Sequence, residues 1–99
     1  MRIISRKALR QFWEGSEYAD AEQPLRAWFR EASRANWKNP AEIKAHYQSA
    51  SIIGDNRVVF NIAGNKYRLV VKINFAYGVV YIRFVGTHRQ YDRINAKEV

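Results

Sequence analysis

The chain contains no cysteine, which excludes a disulfide framework and a thiolate nucleophile and is compatible with a reducing cytoplasm. Only two histidines are present, His46 and His88, too few to suggest a zinc site. Long apolar runs are missing too. The N-terminus reads Met1-Arg2-Ile3-Ile4-Ser5 and turns polar at once, so it offers no signal-peptide core, and no stretch approaches the roughly 20 apolar residues that span a bilayer. Acidic residues are scarce: nine stand against seventeen Lys and Arg, a formal net charge of +8. Repeats and low-complexity tracts are absent. The 99 residues, 47% hydrophobic, therefore predict one domain over positions 1–99 with one modest core, located in the cytoplasm and carrying no cofactor or metal.

The basic excess favours an anionic partner, and fourteen aromatics allow some rings to stack on bases rather than pack inside. Nucleic acid fits better than a membrane surface, which would call for a basic amphipathic helix. Here the excess is largest in the second half, where eight cations face three acids from Ser51 onward, against nine and six before it.

Arg2 to Ile4 predicts a short edge strand. Ser5 then offers an N-cap for a helix through Leu9, Phe12 and Trp13 that stops near Gly15. After a polar link from Ser16 to Gln23, Leu25, Trp28, Phe29 and Ala32 recur at helical spacing as a core-facing stripe. Arg26, Arg30 and Arg34 form a separate row, read as a solvated face. Asn39-Pro40-Ala41-Glu42 is a compact start signal, with Asn as cap, Pro in the first turn and Glu able to return to the cap, and it opens a short helix to about Tyr47. His46 on that helix has no partner ligand nearby in sequence. Ser49 to Ser51 and Gly54 to Asn56 read as a connector.

From Arg57 to Asp92 the pattern changes to period two. Val58, Phe60 and Ile62 alternate on one side of Ala63-Gly64-Asn65-Lys66, and Leu69, Val71 and Ile73 on the other, which predicts a hairpin. With Gly64-Asn65 as a two-residue loop, Asn61 faces Arg68 and Phe60 faces Leu69. A second hairpin turning near Tyr77-Gly78 sets Lys72 opposite Arg83 and brings Thr87 and His88 beside Arg68. The helices then cover the greasy side of an antiparallel sheet, an α+β arrangement that leaves Asn61, Arg68, Lys72 and Arg83 on an open side. Residues beyond Asp92 are too few and too charged to add a layer, and Tyr91 to Ala96 are read as a terminal turn. Like charges across a sheet repel unless an anion sits between them, so Arg68, Lys72 and Arg83 suggest a phosphate site; solvated outer-face cations are the plainer alternative. What separates the two is His88, Tyr91 and Asp92, three titratable or hydrogen-bonding groups just past the last strand.

Four segments resemble the HigB toxins of the RelE superfamily. They are Arg6 to Arg10, Lys38 to Lys44, the Asn61-x-x-Gly64-Asn65-x-x-Arg68 hairpin, and the ending Thr87-His88-x-x-Tyr91-Asp92, in that order over nearly the whole chain. The first two are weak alone; the hairpin and the ending are specific. The resemblance implies a RelE-like fold and a ribosome-dependent mRNA endonuclease that works without metal. It also implies a helix-turn-helix antitoxin of the HigA type, through which alone operator DNA would be bound. By the same resemblance Arg68 stands where the family holds the scissile phosphate. His88 stands where the superfamily has an arginine just after the last strand, and Tyr91 matches the tyrosine that follows. Val59 and Asn61 occupy positions where the wider superfamily carries lysines.

These residues suffice for attack by a 2′-hydroxyl on its own phosphate, which requires alignment, charge stabilisation and two proton transfers. Arg68, with Arg83, Lys66 and the more distant Lys72, would bind the phosphate, and Asn61 and Arg89 would contact RNA. An imidazole titrates near neutrality, so His88 is a candidate acid or base, with Asp92 to orient it and Tyr91 to stack or donate a proton. Two rivals share the scaffold: a non-catalytic gyrase inhibitor of the ParE type, and a plain RNA-binding module stacking bases on exposed strand tyrosines, for which Tyr81 is the best placed.

Overall fold

The computed structural model describes residues Met1–Val99. A short strand β1 (Arg2–Ile4) leads into helices α1 (Arg6–Trp13) and α2 (Glu22–Arg34), joined through a 3₁₀ turn at Ala19–Ala21. Helix α3 (Pro40–His46) follows, then strands β2 (Ser51–Gly54), β3 (Arg57–Ile62), β4 (Tyr67–Asn74) and β5 (Val79–Thr87), and a single helical turn α4 (His88–Tyr91). The five strands form one sheet in the order β1-β5-β4-β3-β2. All neighbours are antiparallel except β1 and β5, which run parallel because the chain crosses the helical layer and three strands between them. This is the α+β arrangement expected from helices preceding strands. No helix is long and apolar enough to cross a membrane.

Local chemistry explains the boundaries. The Asn39 side chain accepts from the Glu42 amide at 3.1 Å, and Pro40 occupies the first turn of α3. Glu42 reaches back one residue further than expected, its carboxylate accepting from the Lys38 amide at 2.7 Å. Ser5 occupies the N-cap of α1 without making a side-chain bond. The stretch taken for a connector is in part strand: Ser51–Gly54 pairs with β3 through a tight turn at Asp55 and Asn56, both with positive φ (50° and 57°). Such a turn suits the twist of a two-residue hairpin, and Asp and Asn tolerate it better than other side chains.

The helix-facing side of the sheet carries Val58, Phe60, Ile62, Tyr67, Leu69, Val71, Ile73 and Val80, all buried against Leu9, Trp13, Leu25, Trp28 and Ala32. Phe60 is the hub. Trp28 meets it edge-on at 5.4 Å, Tyr47 at 5.2 Å, and Trp37 stacks on it at 6.1 Å. Deleting so central a ring leaves a void that the surrounding indoles cannot fill. Phe60→Ala should therefore lower unfolding stability by about 3–5 kcal/mol, read from urea midpoints at constant m-value; a loss under about 1 kcal/mol would show that the hub is elsewhere.

Candidate nuclease site

The first hairpin has the expected register, with Asn61 opposite Arg68 and Phe60 opposite Leu69. Its loop is the four residues Ala63–Lys66 rather than two, and Ala63 and Gly64 take positive φ (55° and 68°). The second hairpin departs from expectation by two residues. Its turn is centred one residue earlier, over Phe75–Gly78, because the Asn74 side chain accepts from the Tyr77 amide at 3.1 Å. Lys72 consequently faces Tyr81, not Arg83. Between the pairs Val71/Ile82 and Val70/Phe84 the ladder slips by one residue, leaving Arg83 as the extra residue of a bulge. Past the bulge, Gly86 faces Arg68 and Thr87 faces Tyr67.

The side of the sheet away from the helices is not fully open. Arg57, Val59 and Val70 lie on it and are 5%, 4% and 0% exposed. The tail beyond Asp92, expected to add nothing, folds back over this face: the Val99 main-chain oxygen accepts from Arg57 (3.2 and 2.7 Å) and from Arg83 Nε (3.2 Å). Tyr91, partly buried, lines a hollow of about 460 Å³ with Ile53, Ile94 and the tail. Asp55 sits between the directly opposed Arg57 and Lys72, accepting at 2.6 and 3.4 Å. Lys72, more than Arg57, holds its carboxyl below the ordinary range.

The predicted phosphate ligands thus divide. Lys72 has Asp55, Arg83 has the Val99 oxygen, and Lys66 pairs with Asp20. The Asn61 amide reaches the Ser49 carbonyl at 3.5 Å. Arg68 donates to neutral carbonyls, of Asn65 at 3.1 Å and Tyr67 at 3.4 Å, and has no anionic partner. Arg89 is exposed on α4. Of Arg68, Lys72 and Arg83, Arg68 alone bonds only within its own hairpin, which leaves it open to an incoming anion at the hairpin end.

Helix α4 begins beside that end. The His88 amide donates to the Lys66 carbonyl at 3.3 Å, so His88 enters two residues from Arg68 along β4 and two from Gly86, which faces Arg68. A capping box starts the helix: Thr87 Oγ1 accepts from the Gln90 amide at 3.1 Å, and Gln90 Oε1 accepts from the Thr87 amide at 2.8 Å. Gly86 has no side chain for good reason, since a Cβ would lie 2.6 Å from the Phe84 ring and 2.7 Å from the Gln90 amide oxygen. His88 is exposed, and its Nδ1 lies 3.2 Å from Asp92 Oδ2. A carboxylate can only accept, so the pair keeps the proton on Nδ1 and leaves Nε2 free toward solvent. At this corner Arg68 bonds only to carbonyls of its own hairpin and the adjoining turn carries His88 against Asp92, while Tyr91 on the same turn lines the hollow shared with Ile53 and the tail.

Three relatives match over nearly full length. The chain is 33% identical, across 97% of its own length and 92% of theirs, to the "mRNA interferase toxin HigB" of Escherichia coli strain K12 and to the proteins named "mRNA interferase HigB" of Escherichia coli O157:H7 and Shigella flexneri. Residues 21–94 match the family model described as HigB_toxin, the RelE-like toxic component of a toxin-antitoxin system. The chain belongs to the HigB toxin family. Membership implies an antitoxin partner, and it accords with the mixed sheet covered by N-terminal helices.

Several residues bearing on this corner were not picked out from the sequence. Gln90 could have been, since Thr87-x-x-Gln90 is a capping-box pattern; Asp20, Asp55 and Tyr18 act across gaps that no local pattern reports. A second hollow, of about 210 Å³ between α1 and α2, is lined by Arg6, Leu9, Trp13, Arg26, Phe29 and Arg30. It contains no group able to transfer a proton near neutral pH.

Asp20 supplies a pH test. The Lys66 ammonium and then the Tyr67 hydroxyl hold its carboxyl below the ordinary value, while the same bond raises Lys66. A depressed carboxyl stabilises the fold above its unfolded pKa and loses that contribution as pH falls through the folded value. Asp20→Asn should thus be less stable than the parent at pH 7, with the gap closing below about pH 4, measured by urea unfolding across that range. A gap that does not change with pH would mean that the charge on Asp20 contributes nothing.

Proposed function

We propose that the protein is a single-domain mRNA interferase over residues 1–99, an endoribonuclease that cuts translated messages on the ribosome in the cytoplasm and is silenced by an antitoxin of the HigA type. The observation that carries this is Arg68, without an anion of its own, beside the end of a strand whose next turn presents the Asp92-oriented His88. The relatives named mRNA interferase support it.

Cleavage proceeds by attack of a ribose 2′-oxygen on the adjacent phosphorus. The new 2′-O–P bond forms as the P–O5′ bond breaks, giving a cyclic phosphate and a free 5′-hydroxyl. One group removes the 2′ proton, another protonates O5′, and a cation stabilises the phosphorane between them. Arg68 grips the phosphate oxygens in a two-pronged contact that suits guanidinium. His88 performs one proton transfer through Nε2. Tyr91 stacks on a base or supplies the other proton, a role it would reach as the tail moves off the hollow it lines. No step needs a metal. Lys66, Lys72, Arg83, Asn61 and Arg89 add a longer-range field and backbone contacts, and the first four of them must exchange an internal partner to touch RNA directly. A mere binder has no use for the His88–Asp92 pair, which places enzyme ahead of gyrase inhibitor or passive RNA module.

Single Arg68→Ala, His88→Ala and Tyr91→Phe substitutions should each slow message cleavage on translating ribosomes by about a hundredfold or more. Lys72→Ala and Arg83→Ala should cost about tenfold or less. Parent-level cutting by all three of the first set would remove the site.

A further inference from the structure

The groups assigned to chemistry lie on two separate bodies. Arg68 and Lys66 belong to the β3–β4 hairpin, whereas His88, Tyr91 and Asp92 belong to α4 and its C-cap, and α4 is four residues long. A helix of one turn does not hold itself in place. We propose that the link between α1 and α2 fixes the distance between these bodies, with Tyr18 and Asp20 as positioning residues. The inference rests on the endoribonuclease function proposed above and names the residues that tune it.

Two side chains from one short stretch reach both halves. The Tyr18 hydroxyl accepts from Gln90 Nε2 at 3.2 Å, and Gln90 is the residue whose amide oxygen caps α4. Two positions on, the Asp20 carboxylate accepts from Lys66 Nζ in the hairpin loop and from the Tyr67 hydroxyl at the base of β4. The backbone completes a closed loop of contacts through the His88 amide on the Lys66 carbonyl. Rigid rings sit inside it: Tyr18 stacks on Phe12 at 4.5 Å and 10°, and both meet buried Tyr67 edge-on.

Core packing alone does not account for these polar groups. The Tyr18 ring would stack on Phe12 equally well as phenylalanine, and its hydroxyl has Gln90 as its one side-chain partner. The Asp20 side chain is 51% exposed, so it fills no cavity. What both groups do is tie the link to α4 and to the hairpin. Catalytic constellations tolerate displacements well under an ångström, and a clamp of this kind supplies that precision without touching substrate.

The test uses the full chain on translating ribosomes. Tyr18→Phe keeps the ring stack and deletes only the hydroxyl. It should lower kcat about tenfold, leave KM for programmed ribosomes within about twofold, and leave the position of the pH profile unchanged because His88 and Tyr91, the groups assigned to proton transfer, are both retained. The thermal midpoint should move by no more than about 3 °C. Asp20→Asn, which still offers Tyr67 an acceptor but releases Lys66, should lower kcat as well, while the freed Lys66 ammonium leaves KM unchanged or lowers it. If Tyr18 acts through Gln90, Tyr18→Phe should add nothing in a Gln90→Ala background. A parent-level kcat in Tyr18→Phe, or losses fully additive with Gln90→Ala, would overturn the clamp. Arg68→Ala and His88→Ala are measured alongside. If they are inactive while Tyr18→Phe is unimpaired, the clamp alone fails; if they cut normally, the nuclease site fails and the clamp with it.

Discussion

The structure depends on how a strongly basic chain tolerates cations directly across its central strands. Arg57 and Lys72 are opposed on the side away from the helices, a placement that costs energy in any sheet. The chain resolves it with its own acceptors. Asp55 from the β2–β3 turn serves Arg57 and Lys72, the Val99 oxygen serves Arg57 and Arg83, and Asp20 from the α1–α2 link serves Lys66. Arg68 is the strand cation left with carbonyl dipoles only. Arg57, Lys72 and Arg83 thus each hold an acceptor from another part of the chain, whereas Arg68 bonds only within its own hairpin.

The bulge at Arg83 gives that distribution its geometry. Without the slip between Val71/Ile82 and Val70/Phe84, β5 would keep one alternation throughout and place a side chain other than that of Gly86 across from Arg68. The extra residue turns Phe84 to the side of Val70 and puts a glycine opposite the guanidinium. In that gap the Phe84 ring and the Gln90 amide come together, and the cap of α4 closes over them. Bulges next to active sites commonly re-aim side chains in this way.

Much of the architecture was legible because it is periodic. Alternation in Val58-Phe60-Ile62 and Leu69-Val71-Ile73 fixed the faces and the first register, the Leu25-Trp28-Ala32 stripe fixed the packing of α2, and Asn39-Pro40 marked the start of α3. The misreadings are local competitions. Asn74 captures the Tyr77 amide and moves a turn by one residue, which carries Lys72 away from Arg83. Ser51–Gly54 is four residues long with serine and glycine at its ends, too short to show a period, yet it pairs as an edge strand. Of the candidate site, the cation-bearing face and the adjacency of His88 and Asp92 could be read from spacing. The partners of Lys66, Lys72 and Arg83 could not, because Asp20 and Val99 lie 46 and 16 positions from the groups they hold.

The internal pairing of these cations bears on the thermodynamics of holding a polyanion. A cation that already carries a carboxylate of its own chain must give up that ion pair to meet a phosphate, so the contact there is an exchange of partners and not a new pair. Lys66 and Lys72 are in that position, whereas Arg68 is not. For all its net charge of +8, the molecule should therefore gain more from Arg68 than from either of these lysines when it meets a phosphate.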